Sequence, residues 1–120
     1  MTVRSKILVV EDDDDLREAV AASLARLGVD VDQARDGVEG LEHLADGRPP
    51  PSAILLDMIM PRLGGDGFLA ALRARPQLAN IPVITMTGGP PPSDARVASR
   101  LTKPFDVEEL ARILVSLCER

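Results

Sequence analysis

The sequence predicts an α/β fold in which a parallel β-sheet is covered by helices on both faces, and three observations carry that prediction. Apolar, β-branched runs without polar alternation at Lys6–Val10, 53–56 and 82–87 are the mark of strands buried on both sides. Between and after them, apolar residues recur at helical spacing. Turn formers separate the two kinds of segment, so strand and helix alternate along the chain, the order that builds a parallel sheet.

Each element follows in turn. Lys6-Ile-Leu-Val-Val10 is the first strand. Asp13 or Asp14 behind it supplies an N-cap for a helix marked by Leu16, Val20, Leu24 and Leu27 and stopped by Gly28. Val29-Asp-Val-Asp32 is short and alternates, as an edge strand does. Asp36-Gly37 turns the chain into a second helix marked by Val38, Leu41, Leu44 and Ala45, which Gly47-Arg-Pro-Pro-Pro51 ends. Residues 53–56 are a buried strand with Asp57 at its carboxyl end. After a loop with Pro61 and Gly64-Gly65, Phe68, Leu69 and Leu72 mark a third helix, closed by Pro76. Residues 82–87 are a third buried strand, and the turn formers of 88–95 hold no regular helix before Ser93. Val97–Thr102 reads as a short strand. Residues 107–119, with Leu110, Ile113, Leu114 and Leu117 on one side, are a final amphipathic helix.

The 120 residues suit a single domain, 1–120, with its own core, and neither a repeat nor a linker interrupts it. With no Trp or Tyr and only Phe68 and Phe105, that core is aliphatic, which excludes stacking platforms for single-stranded nucleic acid. A net charge of −5 argues against direct nucleic-acid binding and against anionic membrane surfaces. No apolar run approaches a membrane span and none resembles a signal peptide, so the expected location is the cytoplasm. The one cysteine, Cys118, reads as a small buried hydrophobe, and His43 as a surface residue.

A parallel α/β sheet carries its site beyond the carboxyl ends of its strands. That rule gathers Glu11 and Asp12 after the first strand, Asp57 on the central one, Thr87 on the next, and Lys103 beyond the last. Crowded carboxylates repel until a cation enters. Oxygen-only ligands without His or Cys favour a hard cation, and a few carboxylates with water and a phosphate oxygen suit Mg2+. Neither Gly-x-Gly-x-x-Gly nor a Walker Gly-Lys-Ser/Thr follows the first strand, which argues against a nucleotide cradle. Phosphoryl transfer fits: Asp57 as nucleophile, Lys103 as a positive clamp, Thr87 as a hydroxyl donor to a phosphoryl oxygen. Taken singly, each has a plainer role: Glu11 and Asp12 at a helix N-terminus, Asp57 in a turn, Thr87 at a strand end, Lys103 in solvent. Asp13, Asp14 and Asp15 are assigned to capping or solvent, Asp66 to the surface, and Met58 and Met60 to apolar packing.

Ile7-Leu-Val-Val-Glu-Asp-Asp13, then Leu56-Asp-Met-Ile-Met-Pro61 followed by Gly65, then Leu101-Thr-Lys-Pro-Phe105 carry a further resemblance. Over nearly its whole length the chain resembles the receiver domains of two-component response regulators. The resemblance implies a flavodoxin-like doubly wound sheet of five parallel strands, in the order 2-1-3-4-5, with helices on both faces. It implies that Asp57 accepts a phosphoryl group from a phosphohistidine on a histidine kinase or histidine phosphotransfer protein, in a bacterial phosphorelay. It implies Mg2+ held directly by Asp12 and Asp57, through water by Glu11, and by the backbone carbonyl of Ile59. Thr87 is then the switch hydroxyl, and Lys103, before a cis bond to Pro104, the ion-pair partner of Asp57 and its phosphate. On this reading the protein is no enzyme beyond promoting its own aspartyl phosphorylation and dephosphorylation. It signals, as a monomer or weak dimer without an attached output domain, by binding a downstream protein.

The departures from the family pattern are concentrated. Fifteen residues separate Thr87 from Lys103, several fewer than usual, and Pro90, Pro91 and Pro92 are consecutive. The usual fourth helix, between the last two strands, is therefore expected to be absent or reduced to a turn around 93–98. Arg100 stands three before Lys103, where the family has Tyr or Phe, Gly64 replaces an acidic or polar residue, and Ile59 offers no side chain to orient water. Two other functions compete. One is a receiver-like interaction module that works independently of phosphorylation. The other is a small aspartyl-phosphate phosphatase, which requires a second Asp where Ile59 stands.

Overall fold

Two strands with almost no polar side chains set the frame. β1 (Lys6–Val10) and β3 (Ala53–Asp57) lie side by side, and apart from Lys6 every residue in them is buried. They are two of the three inner strands of a five-stranded sheet completed by β2 (Asp30–Ala34), β4 (Val83–Thr87) and β5 (Val97–Thr102). All neighbours are parallel and the order is β2-β1-β3-β4-β5, as the resemblance implies. The computed structural model describes residues 6–45, 49–60, 62–87, 97–102 and 106–118.

Side chains alternate across the sheet and so feed two cores. Ile7, Val9, Leu55, Ile84, Met86 and Leu101 point to one face. There they meet Val20 and Leu24 of α1 (Asp14–Arg26) and Leu110 and Leu114 of α4 (Val107–Cys118). Leu8, Val10, Ile54, Leu56 and Val83 point to the other. They meet Phe68, Leu69 and Leu72 of α3 (Gly65–Arg73) and Leu44, which follows α2 (Gly37–His43). β2 is the edge strand its alternation predicts; its first residue, Asp30, is exposed and its last, Ala34, is fully buried.

Helix ends follow local chemistry. Asp13 is the N-cap of α1 and accepts from the Leu16 N–H at 3.2 Å; Asp36 caps α2, accepting from the Glu39 N–H at 2.8 Å. Gly28 follows α1 at φ 83. Two expectations for α2 are corrected. Val38, placed in its apolar stripe, is 37% exposed, because the helix turns Gly37 and Gly40 inward instead. His43 is half-buried against β2 rather than on the surface, with Nδ1 3.9 Å from Asp32 Oδ2.

Val97 and Ala98, expected at the end of a residual helical turn, belong to β5. The proline-rich segment that motivates this expectation falls on 88–96, outside the described residues, as does the side chain of Cys118. No helix of the described residues is long and apolar enough to cross a membrane.

Thr85, in the middle of β4, is fully buried, and its hydroxyl has no hydrogen-bond partner among the described residues. A buried, unsatisfied hydroxyl opposes folding, so Thr85→Val is expected to stabilise the domain by about 1 kcal/mol. Urea denaturation checks this; an unchanged or lower midpoint would show that the hydroxyl is satisfied in solution.

Candidate functional site

The register between β1 and β3 brings the acids together. Val10 pairs with Leu56, so the residues that follow, Glu11 and Asp57, leave the two strands at one level of the rim. Glu11 extends the β1 ladder, its N–H donating to Ala34 O at 3.0 Å, and is fully buried. Asp57 is 3% exposed, whereas Asp12, next along the loop, faces solvent. One carboxylate oxygen from each of Glu11, Asp12 and Asp57 lies within 4.8 Å of the others. Two of these carboxylates are thus held out of water and close to a third, with an oxygen of each near enough to share one cation.

Around Asp57 the backbone is fixed. The Ile59 N–H donates to Asp57 Oδ1 at 3.3 Å, and the Met58 N–H to Met86 O at 3.2 Å. The Gly65 N–H closes the loop onto Met58 O at 3.1 Å, and a Cβ at position 65 would stand 2.7 Å from Met58 Cα, so the return of the loop admits only glycine. Met58 and Met60 pack against the α2–α3 core, as expected of them, while Ile59 is 72% exposed at the rim. Asp66 is exposed in the first turn of α3.

Thr87 is the last residue of β4, one beyond Met86, which pairs with Asp57; the placement of its side chain lies outside the described residues. So do Lys103, Pro104 and Phe105, and with them the expected ion pair and cis bond. Arg100, in β5, pairs in register with Thr85 of β4, and its side chain is likewise outside the described residues.

One residue near the site escaped the sequence reading. Arg17, on the buried side of α1, is only 7% exposed. Its Nη1 donates to the carbonyl of Glu11 at 3.0 Å and its Nε to Gln33 Oε1 at 3.2 Å, while Nη2 stands 2.6 Å from Asp14 Oδ1. The guanidinium thereby ties α1 and β2 to the loop that presents Glu11 and Asp12. The available signal was its place three residues before Val20, on the stripe that α1 buries.

Among the described residues the donor set is three carboxylates, oxygen-only and open on the Asp12 side, which fits a hard divalent cation such as Mg2+. The family model of the response regulator receiver domain matches residues 7–115. This chain belongs to that family. Receiver domains are signalling modules of two-component systems, and two of the similar solved structures are receiver domains of histidine kinases. The response regulator MprA of Mycobacterium ulcerans is 39% identical over 126 residues, covering 100% of this receiver domain and 52% of that protein. The chain spans about half the length of the curated relatives it matches. Among solved structures, the receiver domain of a signal transduction histidine kinase from Syntrophus aciditrophicus superposes with a TM-score of 0.83 at 30% identity, covering 96% of this chain and 90% of that one. The response regulator TrrA of Thermotoga maritima, solved in complex with Mg(2+)-BeF, gives 0.80 at 26% identity, covering 94% and 98%.

Replacing Arg17 by Met removes the guanidinium from a buried carbonyl and is expected to destabilise this receiver domain by about 1.5–3 kcal/mol. Asp14→Ala, which removes a partner with a 68% exposed side chain, should change stability by no more than about 1 kcal/mol. Thermal unfolding of the two variants tests the ranking, and equal losses would refute it.

Proposed function

We propose that this receiver domain accepts a phosphoryl group on Asp57 from a phosphohistidine on a histidine kinase or histidine phosphotransfer protein, and signals by binding another protein. The observation that carries the reading is the convergence of Glu11, Asp12 and Asp57 within 4.8 Å at the carboxyl ends of β1 and β3. In this reading Asp12 and Asp57 hold Mg2+ directly, Glu11 through water, and the Ile59 carbonyl adds a neutral ligand. When bound, the ion supplies neutralisation of the phosphoryl oxygens. The complex of the similar TrrA with Mg(2+)-BeF supports this assignment.

Asp57 does the chemistry. One carboxylate oxygen attacks phosphorus; the O–P bond forms as the N–P bond to the donor imidazole breaks, and the imidazole leaves with that electron pair. The Ile59 N–H on Oδ1 orients the carboxylate for the attack. Thr87 donates its hydroxyl hydrogen to a phosphoryl oxygen and Lys103 pairs with the resulting charge. Residues 1–120 act as one receiver domain in the cytoplasm, as a monomer or weak dimer, with no direct hold on nucleic acid or membrane.

Intact-mass measurement tests the proposal. With Mg2+ and phosphoramidate or acetyl phosphate, the protein is expected to gain one phosphoryl group, and the gain should vanish in Asp57→Asn and on adding EDTA. Absence of a gain would sink the phosphoacceptor reading and leave the phosphorylation-independent module. A second expectation concerns lifetime. Ile59 is exposed and apolar and cannot orient a water for attack on the aspartyl phosphate, so self-dephosphorylation is expected to be slow. A phosphoryl lifetime of only seconds, followed by mass after removing the donor, would contradict it.

A further inference from the structure

The loop that carries Ile59 is anchored on a helix that contributes nothing to the acidic pocket. The Gly37 N–H, at the start of α2, donates to Leu63 O at 3.2 Å, and a Cβ at position 37 would lie 2.6 Å from that oxygen. One residue earlier, Arg62 has φ 66 and is the one non-glycine residue with positive φ among those described. Left-handed positions ordinarily go to Gly or Asn, because a Cβ crowds the following carbonyl.

What a longer side chain supplies there is visible. Arg62 Nε is 2.9 Å from Asp36 Oδ2, and Nη2 donates to Asp36 Oδ1 at 3.3 Å, so the guanidinium meets both carboxylate oxygens across 26 residues of sequence. Asp36 has a side chain only 12% exposed and already caps α2 through the Glu39 N–H. The Arg62 side chain is 58% exposed, and a pair screened to that degree adds little to stability. A strained backbone and a weakly stabilising pair together make poor sense as a stability device. They make sense as a way of fixing where the loop sits.

We propose that Arg62 and Asp36 are positioning residues for the phosphorylation site. Their pairing, with the Gly37–Leu63 hydrogen bond, holds residues 62–64 against the N-terminus of α2, and this sets the Ile59 main chain relative to Asp57. The inference rests on the phosphoacceptor reading of Asp57 and deepens it: α2 becomes part of what makes the pocket competent to bind Mg2+.

Two substitutions in the full chain separate position from stability. Asp36→Asn keeps a capping oxygen for Glu39 and removes the charge. Arg62→Gly keeps the left-handed turn and removes the side chain. Each is expected to weaken Mg2+ binding, measured by titration calorimetry with the metal alone, by about 10-fold, the scale of losses seen when groups behind metal ligands are changed. Phosphoramidate uptake should slow in parallel at low Mg2+ and recover at saturating Mg2+. The Ile59 amide resonance should move in both variants, thermal midpoints should stay close to the parent, and the double variant should lose no more than either single one. Parent-like Mg2+ affinity and uptake in both variants overturns the positioning role alone. Failure of the parent protein to bind Mg2+ or take up phosphoryl overturns the phosphoacceptor reading and this inference with it.

Discussion

The parallel pairing of β1 with β3 is the constraint on which the rest depends. Val10 against Leu56 places the next residue of each strand at the same height, so a fully buried Glu11 and a 3% exposed Asp57 emerge together. Shifting β1 by one residue would swap the faces of Leu8 and Val10 with those of Ile7 and Val9, exchanging their places in the two cores. The aliphatic packing of the sheet therefore fixes the geometry of the acids without touching them. The apolar packing sits within the strands, and the acids stand at their carboxyl ends.

Holding carboxylates out of water works against folding, and the surroundings are arranged to contain that penalty. Asp12 remains in solvent, Arg17 brings a buried positive charge to the Glu11 carbonyl, and the backbone around Asp57 is pinned by the Met58 and Ile59 amides.

Much of this was legible in the sequence because it is local. Strand runs, the Asp13 cap, the stop at Gly28 and the acids at strand ends all follow from neighbours a few residues apart. Val38 and His43 were misread because α2 packs through glycines, which carry no apolar signal, and so presents a different face from the one its hydrophobic residues suggest. Arg17 with Gln33 and Arg62 with Asp36 lie 16 and 26 residues apart, and no periodicity announces such pairs; only the fold brings them together.

The glycines of α2 have a consequence for the order in which the domain assembles. The helix has seven residues, two of them glycine, too short and too low in helix propensity to persist alone. It exists because Gly37 can approach Leu63 and because Gly40 leaves room for the Phe68 ring, which a Cβ would meet at 2.9 Å. Both receiving surfaces lie after β3 in the chain, so α2 consolidates late, once the second half of the fold is in place. Its amide protons are then expected to report, on the timescale of hydrogen exchange, how firmly Leu63 and Phe68 hold it.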